Sequence, residues 1–161
     1  MSLQFTEKEI QLLQDQQSHE KVCIEKYQKY ASQASDPQLK QLFQSYAQQE
    51  QQHLNTINSI LSGQVPTMNQ NQQQQQSSQS QSGQATNQTA SSSASANPAD
   101  TMLCKDMLMT EKYVSGAYDT AIFEFTDTNI RQALNHIQKE EQKHGEGLFN
   151  YMSSNGMYNV Q

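Results

Sequence analysis

Six acidic and histidine residues recur in the sequence with a spacing that could bind metal ions. They are Glu20, Glu50, His53, Glu111, Glu141 and His144. Glu50 and His53 form a Glu-x-x-His motif, and Glu141 and His144 form a second one. Residues i and i+3 lie on the same side of a helix. A further glutamate precedes each motif by 30 residues. Carboxylate oxygens with one imidazole nitrogen per ion suit iron or manganese, and zinc also accepts such ligands.

An internal repeat relates the six residues to one another. When the chain is shifted by 91 residues, they coincide in three pairs without a gap: Glu20 with Glu111, Glu50 with Glu141, and His53 with His144. Tyr27 also coincides with Tyr118, and Asp36 with Asp127. The repeat predicts two similar halves, each of which supplies half of one site.

The first half has the pattern of a helical hairpin. Thr6 and Glu9 form a capping box that begins a helix, and Phe5 and Ile10 are placed as its hydrophobic staple. Asp36-Pro37 ends this helix and begins a second one. The inner positions of both helices recur every three or four residues. They are Ile10, Leu13, Gln17, Glu20, Ile24, Tyr27, Ala31, Ala34, Leu39, Phe43, Tyr46, Glu50, His53, Ile57 and Ile60.

The second half repeats this plan. Asn97-Pro98 begins a third helix, Asp127 can cap a fourth, and Asn155-Gly156 closes it. The inner positions of the fourth helix again combine apolar residues with the motif: Ile130, Leu134, Ile137, Glu141, His144, Leu148 and Tyr151. In each hairpin the turn lies midway between the two glutamates. Four carboxylates and two imidazoles are therefore expected to meet near the middle of a bundle.

A segment rich in Gln, Ser and Asn separates the two halves. From Ser62 to Pro98, 24 of 37 residues are of these three types, and none is charged or a histidine. Such a composition cannot bury enough apolar surface to offset its ordering entropy, so we predict a disordered linker. The predicted organisation is one domain, with a first hairpin over 1–61, the linker over 62–97 and a second hairpin over 98–161.

The linker is long enough to cross a bundle from end to end. Helices of about 27 residues are roughly 40 Å long, and a flexible linker of this length spans roughly 33 Å on average. The predicted fold is all-α, a ferritin-like four-helix bundle built from two repeated hairpins that a long crossover linker joins. A simple up-down-up-down bundle, which needs only a short loop, is the alternative.

The six residues are the ligand set typical of ferritin-like di-iron and di-manganese carboxylate bundles. Four carboxylates in an apolar core are costly unless they are protonated or compensated, and two divalent cations would balance their charge. We expect Glu50 and Glu141 to bridge the two ions, and Glu20 and Glu111 to bind one ion each. The alternative is that all six are accidental polar positions. Without metal, burial and mutual repulsion should raise the pKa of all four carboxylates.

Composition argues against several classes of protein. The net charge is −6 and the pI is about 5.1, which disfavours a nucleic-acid binder led by phosphate contacts. No apolar run approaches the length of a membrane span, and Met1 to Ile10 lacks the pattern of a secretory signal, so we expect cytoplasmic synthesis. Cys23 and Cys104 do not make a disulfide scaffold and are expected to be buried as small apolar residues.

The second half resembles the spore coat protein F family of endospore-forming bacteria, within the ferritin-like superfamily. The resemblance lies in Leu103-Cys104-Lys105-Asp106-Met107-Leu108, Glu111-Lys112, Tyr118 and Gln142-Lys143-His144. It is best over 100–155 and extends to the first hairpin. The family implies a structural role in the spore coat among other coat proteins, with synthesis in the mother cell and deposition on the forespore. We also expect a homo-oligomer.

Two functions are consistent with these patterns. The first is a structural component of the spore coat whose bundle carries a dimetal site. The second is a dimetal oxidoreductase, such as a peroxidase, a manganese-catalase-like enzyme or a ferroxidase, because the motif places metals but names no reaction. No residue is assigned as catalytic. Tyr27 and Tyr118 are expected to pack in the core, and Tyr46, one turn from Glu50, is either core packing or redox-active.

Overall fold

Four helices pack as a bundle in the computed structural model, which describes residues 3–66 and 96–158. The helices are α1 (Glu7–Gln33), α2 (Pro37–Leu61), α3 (Pro98–Glu124) and α4 (Thr128–Ser154). These described ranges contain no strand. The predicted all-α bundle of two hairpins is confirmed. Most of the predicted linker, residues 67–95, lies outside the described ranges, so its disorder and its path stay predictions.

The helices begin at the predicted caps. At each start the N-cap side chain accepts a hydrogen bond from a backbone N–H of the first turn; the caps are Thr6, Asp36, Asn97 and Asp127. Past the ends of α2 and α4, Gly63 and Gly156 have φ angles of +85° and +70°. This left-handed conformation costs glycine least, and it ends each helix sharply.

The predicted hydrophobic staple at the start of α1 is wrong. Ile10 is exposed, and the Phe5 ring instead packs edge-on against Phe125 with 6.2 Å between ring centroids. Phe5 therefore packs against the other hairpin, a contact that the spacing of residues near the start of α1 could not predict. The buried residue at this turn is Glu9.

One buried acid in each hairpin accepts hydrogen bonds from the turn of the other hairpin. Glu9 Oε1 accepts a hydrogen bond from the Thr126 backbone N–H at 3.0 Å. Asp100 accepts from the backbone N–H groups of Ser35 and Asp36 at 2.8 and 3.0 Å. Because Glu9 and Asp100 are also 91 residues apart, the repeat extends to these contacts. They fix the relative height of the two hairpins, and thereby the level at which the site residues meet.

Neighbouring helices run antiparallel. Lys8 near the start of α1 pairs with Glu124 at the end of α3, whereas Lys26 pairs with Asp106 near the start of α3. Since α1 is antiparallel to both α2 and α3, the latter two run parallel. The end of α2 and the start of α3 therefore lie at opposite ends of the bundle. The connection between them, predicted as a crossover, passes through residues outside the described ranges.

Apolar side chains fill the two ends of the bundle and leave a polar layer between them. One apolar cluster includes Leu13, Ile57, Phe125, Ile130 and Leu134, and the other includes Tyr27, Phe43, Met107, Leu148 and Met152. Cys23 and Cys104 are free thiols and fully buried, as predicted. None of the four described helices is long and apolar enough to cross a membrane.

Candidate metal centre

All six predicted site residues lie in the polar layer, and none exposes more than 2% of its surface. Every helix contributes: α1 and α3 supply one glutamate each, whereas α2 and α4 each supply a Glu-x-x-His pair. The inner faces predicted for α2 and α4 are buried along their whole length. The spacing of three and four residues therefore placed the polar residues on the same face as the core.

The potential ligand atoms form two groups that share two residues. In each group the atoms lie within 4.8 Å of one another. The first group is Glu20, Glu50, His53 and Glu141, and the second is Glu50, Glu111, Glu141 and His144. Glu50 and Glu141 belong to both. Two ions that share two carboxylates would need this connectivity.

Both histidines direct Nδ1 toward the carboxylates. His53 Nδ1 lies 2.9 Å from Glu50 Oε2 and 3.1 Å from Glu141 Oε1. His144 Nδ1 lies 3.2 Å from Glu50 Oε1 and 3.4 Å from Glu111 Oε1. The two imidazole rings are stacked with 5.9 Å between centroids. Each Nδ1 is thus placed to act as the single nitrogen donor of one group.

The outer nitrogen of each histidine contacts a residue that sequence reasoning missed. His53 Nε2 lies 2.5 Å from Glu140 Oε2, and His144 Nε2 lies 2.5 Å from Gln49 Oε1. Gln49 and Glu140 occupy equivalent positions in the repeat, each directly before the glutamate of its motif. Their equivalent positions in the repeat were the sequence feature that could have identified them. Each residue serves the histidine of the opposite hairpin, which no pattern within one helix indicates.

Two tyrosines predicted as core packing also bind the glutamates of α1 and α3. The Tyr118 hydroxyl donates a hydrogen bond to Glu20 Oε1 at 2.5 Å, and the Tyr27 hydroxyl donates to Glu111 Oε1. Both are fully buried. Since each tyrosine reaches across to the other hairpin, the pair holds the two carboxylates in a crossed, twofold arrangement.

Tyr46 packs against the site without a hydrogen bond to any of the six residues. Its ring stacks on the His144 imidazole with 4.3 Å between centroids. The Tyr46 hydroxyl lies so close to Gly147 that a methyl group at that position would overlap it. Glycine at 147 therefore gives Tyr46 the room to support one face of His144.

The glutamates of α1 and α3 favour the protonated form. Burial, and after it the charge of Glu50, raises the pKa of Glu20 well above its ordinary value. Burial also raises the pKa of Glu111 to about 8, and the neighbouring Glu141 contributes in the same direction. The predicted rise is confirmed in direction for these two carboxyl groups.

The same prediction is wrong for the two shared glutamates. Burial acts to raise the pKa of Glu50, but hydrogen bonds with His144 and His53 outweigh it and lower that pKa to about 2. The pKa of Glu141 is also lowered, because hydrogen bonds with Glu111 and both histidines outweigh burial. The expectation considered burial and repulsion among the carboxylates and left out the two imidazoles.

The pKa values of the two histidines are raised. Burial acts to lower the pKa of His144, but hydrogen bonds with Glu111, Glu141 and Glu50 raise it to about 11. Hydrogen bonds with Glu140, Glu141 and Glu50 likewise raise the pKa of His53 well above its ordinary value. Without metal, two carboxylates and two imidazolium ions thus balance each other beside two neutral carboxylic acids.

Once Glu20 and Glu111 have lost their carboxyl protons, three buried oxygens of the site have no hydrogen-bond partner among the described residues: Glu20 Oε2, Glu111 Oε2 and Glu141 Oε2. A buried polar atom without a partner costs free energy, and such atoms are rare in folded proteins. Hard divalent cations accept carboxylate oxygens as ligands. These buried acidic and histidine groups could therefore hold metal ions, and the donor set fits two of them.

A groove of about 350 Å³ between α1 and α3 approaches the site from outside. His19, Tyr113 and Met109 line its rim, and the buried residues Cys23 and Val114 form its floor. Burial and then the nearby charge of Glu50 raise the pKa of the Cys23 thiol. These two floor residues are repeat mates, and both are buried.

A solved structure has the same fold. It is a two-domain protein from Anabaena variabilis ATCC 29413 that contains DJ-1/ThiJ/PfpI-like and ferritin-like domains. The match has a TM-score of 0.68 at 19% identity and covers 95% of this chain but 38% of that one. Together with the antiparallel hairpins and the central polar layer, the match places the bundle in the ferritin-like class.

The second hairpin is similar to a known family. Residues 99–161 match the model of the Coat F domain, in agreement with the resemblance noted in the sequence. The uncharacterized protein YusN from Bacillus subtilis (strain 168) is 36% identical over 62 residues. That match covers 38% of this chain and 56% of YusN, so the chain spans little more than half of this relative.

Proposed function

We propose that this protein is a metal-binding component of the bacterial spore coat. The observation that carries the metal site is the burial of four carboxylates and two imidazoles within two overlapping groups, with three carboxylate oxygens unpartnered. The coat role is supported by the Coat F domain over 99–161. It includes synthesis in the mother cell, deposition on the spore and contacts with other coat proteins.

In this proposal the six residues bind two divalent cations. Glu50 and Glu141 are the shared ligands, because only they belong to both groups. Glu20 and His53 complete the coordination of one ion. Glu111 and His144 complete that of the other. Oxygen-rich sets with one nitrogen per ion favour iron or manganese over softer metals, with zinc as the other candidate.

Dimetal oxidoreductase chemistry is the second candidate function. Bound iron or manganese would supply electron exchange with dioxygen or peroxide. The observation that favours it is the groove between α1 and α3, which has room for a small molecule and a floor of Cys23 and Val114. Around the site the chain itself excludes water, and Tyr27 and Tyr118 hold two carboxylates in fixed orientations.

Elemental analysis of protein made without a His tag tests the metal site. Wild type should retain about two iron or manganese ions per chain, and Glu50→Ala or Glu141→Ala should each abolish binding of both. Glu20→Ala should weaken mainly one, and Glu25→Ala, an exposed glutamate on the same helix, should change nothing. Equal small losses in all the site variants, or metal-free wild type, would contradict the proposal. Peroxide consumption by the loaded protein would favour the oxidoreductase.

We further propose that the outer face of α3 joins two copies of the chain. Four large apolar side chains on this face are mostly exposed: Met102 (65%), Met109 (68%), Tyr113 (69%) and Phe123 (78%). Side chains of this size cover about 150–250 Å² each when aromatic, so together they offer on the order of 500 Å² per chain. A standard interface buries about 800 Å² per partner, so these residues would form its core and the flanking polar residues its rim.

The spacing along α3 favours a second copy as the occupant. If two α3 helices pack antiparallel about a twofold axis near Tyr113, Met102 of one copy lies opposite Phe123 of the other. Met109 then lies opposite Gly116, a mid-helix glycine with open space where a side chain would be. Such self-complementary contacts define a twofold interface.

Sedimentation analysis tests this interface. Wild type should be a dimer, and Met109→Lys should make it monomeric, whereas Gln41→Lys on the outer face of α2 should leave the dimer intact. A wild-type monomer, or a dimer that survives Met109→Lys, would contradict the proposed surface without affecting the metal site.

A further inference from the structure

The two histidines of the site differ in what holds their outer nitrogens. His53 Nε2 contacts the Glu140 carboxylate, whereas His144 Nε2 contacts the Gln49 side-chain amide oxygen, both at 2.5 Å. Glu140 is itself held on its other oxygen by His136, at 3.1 Å. One histidine therefore has an anionic partner and the other a neutral one.

This difference breaks an otherwise symmetric arrangement. The four glutamates, the two histidines and the two tyrosines that donate to Glu20 and Glu111 are identical between the repeats. Glu140 and Gln49 occupy equivalent positions under the shift of 91 residues, yet one is a carboxylate and the other an amide of the same shape. Tyr46, which stacks on His144, has Ile137 as its repeat mate, but among the side chains that hydrogen-bond to the six residues the inequality of the two halves is one charge.

The charge acts on the metal through the histidine. An imidazole that donates its outer N–H to a carboxylate is fixed in orientation and tautomer, and its other nitrogen becomes a more basic ligand. The carboxylate also places an additional negative charge near the ion that this histidine binds. An amide oxygen fixes the tautomer in the same way but adds no charge. Loss of such an outer partner typically costs roughly 10–100-fold in metal affinity.

We infer that Glu140 is a positioning residue that makes the His53 position the tighter of the two metal positions, so that the ions fill the site in a fixed order. This inference rests on the proposed dimetal site and adds to it the inequality of its halves. Gln49 correspondingly makes the His144 position the weaker one. Exchange of the two side chains should therefore exchange the order of filling.

Titration of the chelator-treated 161-residue chain with Co²⁺, followed by its visible absorption, measures the two positions without any enzymatic assay. Wild type should bind two ions in two classes whose dissociation constants differ by roughly 10–100-fold. Glu140→Gln should weaken the tighter class toward the weaker one and keep a total of two ions. Gln49→Glu should tighten the weaker class. In the double exchange the separation should return.

The order of filling distinguishes this role from a structural one. At one equivalent of Co²⁺, paramagnetic broadening should remove the His53 ring signals first in wild type and the His144 ring signals first in the double exchange. Two equal classes in wild type, or an order unaffected by the exchange, would overturn the inference and leave the dimetal site standing. Wild type that binds no Co²⁺ would overturn both. Thermal unfolding of each variant verifies that the isosteric exchange preserves the fold.

Discussion

Loading the metal-free protein with two divalent ions near pH 7 should release about four protons per chain. The raised pKa values mean that Glu20 and Glu111 each hold a carboxyl proton, the latter with a pKa of about 8. His53 and His144 each hold an additional imidazolium proton, the latter with a pKa of about 11. Since ligands must lose these protons to bind a metal, two carboxyl and two imidazolium protons leave.

The same four groups set the pH dependence of the metal-free protein. Each has a raised pKa in the folded state, so its contribution to stability is complete below the unfolded pKa and is lost as pH rises through the folded one. Loss begins above 4.5 for the carboxyl groups and above 6.5 for the histidines. Each proton contributes a slope of about 1.4 kcal/mol per pH unit. The apo protein should therefore be more stable near pH 5 than near pH 7.5.

Glu50 and Glu141 contribute with the opposite sign. Their pKa values are lowered on folding, so their stabilisation is present above 4.5 and is lost as pH falls toward about 2. Stability of the apo protein should accordingly pass through a maximum near pH 5. Bound metal should shift this maximum upward, because it stabilises the deprotonated form of all six ligands.

Calorimetric titration with Mn²⁺ in two buffers of different ionisation enthalpy measures the released protons. Wild type and Glu25→Gln should release about four, and Glu111→Gln about one fewer. Thermal unfolding with and without chelator at pH 5 and pH 7.5 measures the second effect. Release of one proton or none, or the same pH trend with and without metal, would refute the assigned protonation of the cluster.

Three further predictions concern the scaffold. Gly147→Ala should destabilise the protein because the new methyl group displaces Tyr46 from His144, whereas Gly145→Ala, which meets only Leu108 at 3.9 Å, should stabilise it by up to about 1 kcal/mol in thermal unfolding. Asp100→Ala should cost about 2–3 kcal/mol in denaturant unfolding by leaving two amides unpaired, whereas Asp119→Ala on the exposed side of α3 should change stability by less than about 0.5 kcal/mol. Replacement of residues 67–95 by a flexible spacer should preserve the circular dichroism spectrum only if the spacer crosses a bundle of roughly 40 Å, which needs about 12 extended residues. In the Met109→Lys background, which removes the proposed α3 interface, a two-residue loop should instead give a swapped dimer in sedimentation.

The helices and the burial of the six candidate ligands in one layer were predictable because both depend on local periodicity. Cap residues such as Asp36 and Asp127 define the helix starts, and steps of three and four place Glu50 and His53 on the same face as Ile57. The repeat then brings the second hairpin to the same level. Nothing beyond helical geometry and the shift of 91 residues was needed for this part.

Contacts between the hairpins were not predictable from either helix alone. Phe5 packs against Phe125 of the other hairpin and not against Ile10, which is exposed. The hydrogen bonds of Tyr27 and Glu140 likewise cross between hairpins. The lowered pKa of Glu50 depends on the distance to both histidines, which sequence spacing does not provide. These features depend on the distance and orientation between facing helices, which the spacing of residues along one helix does not give.

Anomalous X-ray diffraction from crystals loaded with Mn²⁺ tests the central claim most directly. Two anomalous peaks should lie in the polar layer, both in contact with Glu50 and Glu141, one beside His53 and the other beside His144. No peak in this layer, a single peak, or peaks confined to surface carboxylates would contradict the dimetal site.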